Sequence, residues 1–131
     1  MLEVEIVDAP PEAPPADEVE RLCALALASA GVHDGHLAIA YVDERAIAAL
    51  NREHRGKDAP TDVLSFPLDG AAPSAGPREL GDIVICAPLT RDLREAIVHG
   101  ALHLVGMDHE RDDGEMLALQ RELLAWEAQR G

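Results

Sequence analysis

Three histidines stand close together in the run His99-Gly-Ala-Leu-His103-Leu-Val-Gly106-Met-Asp-His109. On a helix, positions four apart lie one turn apart on the same side, so the imidazoles of His99 and His103 can converge on one ion. Gly106 follows where a glycine can take the left-handed conformation that ends a helix and turns the chain back, which delivers His109 as a third ligand. Three neutral nitrogens with a fourth position left to water form the donor set of a catalytic zinc site, whereas structural zinc sites usually close with cysteines. Zinc lowers the pKa of such a water to about 7, so the chemistry implied is metal-assisted hydrolysis. Imidazole suits nickel as well. Three unrelated histidines and a glycine that merely stops a helix would not explain the joint spacing. His33, His36 and His54 lack that spacing, although His54 can approach the site.

Both the spacing and the glycine agree with the metzincin protease signature H-E-x-x-H-x-x-G-x-x-H, except that Gly100 stands where the glutamate belongs. That glutamate takes a proton from the zinc-bound water in peptide hydrolysis. A positioned base contributes roughly 10²–10⁴ in rate, so its loss makes a peptidase the weaker reading.

A second chemical feature precedes the third expected strand: Asn51-Arg-Glu-His-Arg55-Gly-Lys57-Asp-Ala-Pro-Thr61-Asp-Val-Leu-Ser65-Phe-Pro67. Arg55 and Lys57 flank a glycine that lets the backbone approach a ligand, and a guanidinium pairs bidentately with phosphate. Thr61 and Asp62 read as the residues that organise the turn into the strand.

On these two motifs, at 50–67 and 99–109, together with Gly-Asp-Ile-Val-Ile at 81–85, the sequence resembles the bacterial YbeY-type endoribonucleases, also called rRNA maturation factors. The resemblance runs from the first strand to the last helix. It implies a zinc-dependent endoribonuclease directed at single-stranded RNA, acting in 16S rRNA 3′-end maturation and ribosome quality control. It implies His99, His103 and His109 as metal ligands and Arg55 as the arginine of the active cleft; Lys57 is carried as a substrate-binding candidate beside it. It further implies a small-subunit ribosomal protein and an Era-type GTPase as partners. The general base stays open between zinc-bound hydroxide, His54 and Asp108. One departure is visible: only Ala87-Pro-Leu-Thr90 separates the Gly-Asp-Ile-Val-Ile strand from the metal-bearing helix, where the family usually carries a further helical segment. Two other readings remain: a ribosome assembly factor that works by binding with zinc as a structural clip, and a zinc peptidase or other metallohydrolase.

The elements that must position these residues can be read from periodicity. Leu2, Val4 and Ile6 alternate with Glu3 and Glu5 as in a half-buried strand, and the prolines between Ala9 and Pro15 read as an extended connector. Asp17 is expected to cap a helix carrying Val19, Leu22, Cys23, Ala26, Leu27 and Ala30, stopped by Gly31. A strand over 36–42, a short helix capped by Asp43 with Ile47 and Leu50, and strands over 62–66 and 80–86 follow. A mobile loop over 67–79 is expected to join those last two strands. Thr90 and Asp112 are expected to cap two final helices, the first with Leu93, Ala96, Ile97, Ala101 and Leu104 inward, the second with Met116, Leu119, Leu123 and Trp126. The prediction is a single α+β domain over residues 1–131: a mixed four-stranded sheet layered with about four helices, the metal site lying on a C-terminal helix and turn.

Composition sets outer limits. A chain of 131 residues can bury its own core. With one Trp, one Tyr and one Phe, it has little material for base-stacking platforms. Its formal net charge of -14 opposes long-range attraction to polyphosphate, so an RNA substrate requires a local basic patch. The same charge suits recruitment by basic proteins. Cys23 and Cys86 are too few for a disulfide scaffold, which points to a reduced cytoplasmic setting. No run of about 18 apolar residues is present to span a bilayer.

Overall fold

A computed structural model of the chain describes residues 2–57, 59–68 and 78–130. The sheet contains β1 (Leu2–Val7), β2 (Gly35–Tyr41), β3 (Val63–Pro67) and β4 (Glu79–Ile85), in the spatial order β1-β2-β4-β3. β1 and β4 both run parallel to β2, while β3 pairs antiparallel with β4, from Val63 opposite Ile85 to Pro67 opposite Gly81. The expected mixed sheet is therefore present, with β3 on its edge.

Helices cover both faces. Ile83 and Ile85 belong to the larger apolar cluster, together with Leu22 and Leu27 of α1 (Ala16–Ala28) and Ile97, Ala101 and Leu104 of α3 (Leu93–Leu104). Met116 of α4 (Glu115–Arg130) completes that layer. Val84 and Cys86 point to the opposite face, where they meet Ile47 of α2 (Glu44–Arg55) and Leu64. This explains why β4 reads as a nearly continuous apolar run: both of its faces are buried.

Two glycines permit the close approaches that seat α3. At Gly81, φ is +137° and an added Cβ would lie 2.3 Å from the Phe66 carbonyl oxygen, beside an irregularity in the β2–β4 register. At Gly100, an added Cβ would fall 2.6 Å from Cγ2 of Ile83, so the helix can lie on the strand only without a side chain there.

Several boundaries differ from expectation. Pro15, not Asp17, occupies the N-cap of α1, and Asp17 stands in the first turn, where its charge complements the helix dipole. The connector before it is not extended throughout, because Ala13 N–H donates to Pro10 O at 3.0 Å and closes a turn. Asp92 caps α3, accepting from the N–H groups of Arg94 and Glu95, while the Thr90 hydroxyl donates to Cys86 O at 2.7 Å. A carboxylate two residues nearer the helix outcompetes the hydroxyl, which closes the preceding 3-10 turn (Ala87–Leu89) instead. Asp112 does accept at the start of α4, from Gly114 N–H and Met116 N–H. Trp126 is 54% exposed and lies outside the core; the buried side of α4 passes through Gln120 and Glu127 instead. The expected loop at 67–79 lies largely outside the described residues, whereas Pro67 and Glu79 end the flanking strands.

Candidate metal centre

Helix α3 ends at Leu104, one residue beyond His103, in a Schellman turn. Gly106 N–H donates to His103 O at 3.0 Å and Met107 N–H to Leu102 O at 3.2 Å, with Gly106 at φ +97°. The following turn is held by Asp108: its Oδ1 accepts from Glu110 N–H and its backbone oxygen from Arg111 and Asp112 N–H. These bonds return the chain so that His109 faces the two helical histidines. The three rings lie 4.7 to 5.4 Å apart between centroids, and one ligand nitrogen from each falls within 4.8 Å of the others. Such a group can hold a metal ion.

Hydrogen bonding orients the rings. His103 Nδ1 lies 2.8 Å from Met107 O. A carbonyl only accepts, so this nitrogen carries the proton and Nε2 keeps its lone pair. His99 Nδ1 lies 2.9 Å from Gln120 Oε1, another acceptor, which selects the same tautomer. The two Nε2 atoms then face each other at 3.1 Å, an arrangement that two lone pairs disfavour and a shared cation relieves. His109 Nδ1 is buried without a hydrogen-bond partner. Burial, reinforced by the neighbouring His99, holds the His103 pKa below the usual histidine value and so favours the neutral ring that metal binding requires. Three imidazoles without a thiolate fit a divalent ion that keeps an open position; both cysteines are buried outside the group.

The triad opens into a cleft of about 1000 Å³, bordered by β3, the end of α2, the start of α3 and the 106–110 turn. Arg55, the last residue of α2, lines it, and its Nη2 donates to Glu110 Oε1 at 3.3 Å. Gly56 ends α2 at φ +68°, and the buried Asn51 donates from Nδ2 to Ala59 O at 2.8 Å, which ties down the loop after Arg55. His54 also lines the cleft, its ring centroid 4.6 Å from that of Phe66. Lys57 is exposed and does not border the cleft, so of the two basic candidates only Arg55 is brought to it. Arg91 also lines the cleft, but the carboxylates Asp62, Asp92 and Glu95 face the same space and outnumber it, a field that attracts cations.

Three participants escaped the sequence reading: Gln120, Glu110 and Ser65, whose hydroxyl donates to Gly100 O at 3.1 Å. Gln120 left a trace, because a polar residue four positions after the buried Met116 occupies an inward helical position.

A family model described as "Endoribonuclease YbeY" matches residues 11–126. The chain belongs to the Endoribonuclease YbeY family. Relatives bearing that name include one from Macrococcus caseolyticus, 38% identical and covering 95% of this chain and 94% of its own length. Another, from Pseudomonas entomophila, is 41% identical over 95% of this chain and 88% of that relative. A third, from Geobacillus kaustophilus, is 40% identical, with 83% and 84% covered. A Thermotoga maritima protein solved in solution has the same fold, with a TM-score of 0.52 and 26% identity over 97% of this chain and 91% of that one. The Macrococcus alignment spans 145 positions, more than this chain has residues, so that YbeY relative carries residues absent here. Between β4 and α3 this family member has only the one-turn helix Ala87–Leu89 and the short link to Asp92.

Proposed function

We propose that the chain is a zinc-dependent endoribonuclease that cleaves single-stranded RNA and acts in 16S rRNA 3′-end maturation and ribosome quality control. The observation that carries this reading is the convergence of His99, His103 and His109 at one end of a cleft that also contains Arg55, in a chain of the Endoribonuclease YbeY family. The three histidines would hold the ion, zinc in the first place and nickel as its competitor. A bound divalent ion supplies Lewis acidity toward a phosphodiester in the cleft. Arg55 neutralises charge on the phosphate oxygens as the bond breaks, and Lys57, outside the cleft, adds an exposed cation for the flanking strand. Of the two side chains considered for proton transfer, Asp108 is engaged through both oxygens, with Glu110 N–H and with Arg111, which leaves His54 as the better placed.

The resemblance of the sequence also supports a small-subunit ribosomal protein and an Era-type GTPase as partners, and the scarcity of cysteine supports a cytoplasmic place of action. The structure bears on location in one respect: no helix among the described residues is long and apolar enough to cross a membrane. A peptidase is disfavoured sterically as well as chemically, because glutamate at position 100 would be driven into Ile83.

The deciding experiment incubates purified protein with a short single-stranded RNA. Cleavage is expected, together with its loss on chelation, its return on adding zinc, and its absence in His103→Ala. Rescue of ribosome assembly by protein that cleaves at no metal loading would favour the binding role instead, which the net charge of -14 also suits.

A further inference from the structure

We infer that Gln120 is a positioning residue for the metal centre: through His99 Nδ1 it sets the tautomer and direction of one ligand, and thereby makes metal affinity depend on the seating of α4. The inference rests on the metal reading of the three histidines.

Gln120 comes from a different element than any of those histidines, yet its Oε1 lies 2.9 Å from His99 Nδ1. It is only 7% exposed, one of three buried polar residues in the described structure, and it borders the cleft. A buried amide is costly unless its hydrogen bonds are made, so its place on the inward side of α4 calls for a reason beyond packing. His99 supplies one. The amide oxygen obliges Nδ1 to carry the proton, and Nε2, on the far side of the ring, is left as the lone-pair donor toward His103 Nε2 at 3.1 Å. Met107 O performs the same service for His103 from within the Schellman turn. The two helical ligands are thus oriented from independent sources, one local in sequence and one from α4.

The seating of α4 has two further anchors. Met116 is completely buried in the main core, and Glu127, near the helix end, accepts from Arg21 Nε of α1 at 2.8 Å. Between these anchors Gln120 has little freedom to turn away. Partners of this kind typically contribute 10–100-fold to metal affinity.

The test compares zinc binding, by competition with a chromophoric chelator, across the parent protein, Gln120→Met and Gln120→Glu; the cobalt(II) absorption spectrum reports ligand geometry. Methionine keeps the length and bulk of the side chain without the acceptor, while glutamate keeps an acceptor. The expected result is a roughly 10–100-fold weaker affinity and an altered cobalt spectrum in Gln120→Met, with glutamate restoring parental affinity or exceeding it. Parental affinity in Gln120→Met would overturn the inference and leave the metal reading intact, since packing alone would then suffice. A parent protein that binds neither zinc nor cobalt would overturn both.

Discussion

Arg55 and Glu110 form an ion pair across the cleft, with 3.3 Å between Nη2 and Oε1, so the cation proposed to meet RNA is held by the residue that follows His109. Both side chains are substantially exposed, which limits such a pair to about 0.2–1 kcal/mol. A phosphate that engages Nη2 competes with Glu110 for it. Glu110→Gln is therefore expected to bind a short single-stranded RNA up to about fivefold more tightly, a gain that fades at high salt. Fluorescence anisotropy at two ionic strengths measures it, and an unchanged or weakened affinity would contradict the competition.

Arg55→Ala should retain zinc and lose roughly 10²–10³ in cleavage rate, the usual cost of removing one preorganised donor to a charged transition state. Lys57→Ala, altering an exposed residue away from the cleft, should cleave at nearly the parental rate. Single-turnover assays on metal-saturated protein make the comparison. Equal losses in both variants would mean that the basic loop acts as a diffuse patch.

Chelation should abolish cleavage while leaving the far-ultraviolet circular dichroism at 25 °C unchanged. Two of the three proposed ligands, His99 and His103, sit on a helix whose inward residues, Ile97, Ala101 and Leu104, are already buried in the sheet core, so folding does not wait for the ion. Bound metal still stabilises the fold through mass action, by about 4 kcal/mol at a thousandfold excess over Kd, and so raises the melting temperature. Unfolding on chelation would instead indicate a structural clip.

Gly100→Ala tests how closely α3 approaches the sheet. Alanine favours a helix by about 1 kcal/mol over glycine, whereas overpacking a core costs about 1–3 kcal/mol. The clash should dominate, because the new Cβ meets a β-branched methyl of Ile83, itself fully buried. A net loss of up to about 2 kcal/mol is expected in urea unfolding; a gain in stability would show that the strand yields.

A pH effect is expected away from the metal centre. His36 Nδ1 lies 2.9 Å from Glu79 Oε2 and its Nε2 lies 3.5 Å from Glu5 Oε1, and the Glu79 bond above all raises the imidazole pKa above 6.5. A raised folded value means that the stabilisation is complete below the ordinary pKa of 6.5 and disappears as pH climbs through the folded one. The melting-temperature difference between the parent protein and His36→Gln should therefore shrink as pH rises from 6 toward 8. A difference independent of pH would exclude a charged His36.

Much of this protein was settled by local pattern. Alternation marked β1, helical spacing marked the inward faces of α1 and α3, and the 99–109 run implied a ligand-bearing helix, a turn and a third ligand. These features depend on contacts within a few residues, where spacing and geometry are tied by the backbone itself. The caps of α1 and α3 were misplaced for a reason of the same scale: several residues compete for the same free N–H groups, and small differences in position decide among them.

Other features depended on residues far apart in the chain. The pairing of β4 with both β2 and β3, the exposure of Trp126, the meeting of Arg55 with Glu110 and that of Gln120 with His99 have no local signature. Each arises only when sheet and helices are packed together. The histidines alone specified which residues can grip an ion; which ring nitrogen is left free, which way the rings face, and what stands opposite them in the cleft were decided by the packing of α4 and the turn at Gly106 against the rest of the domain.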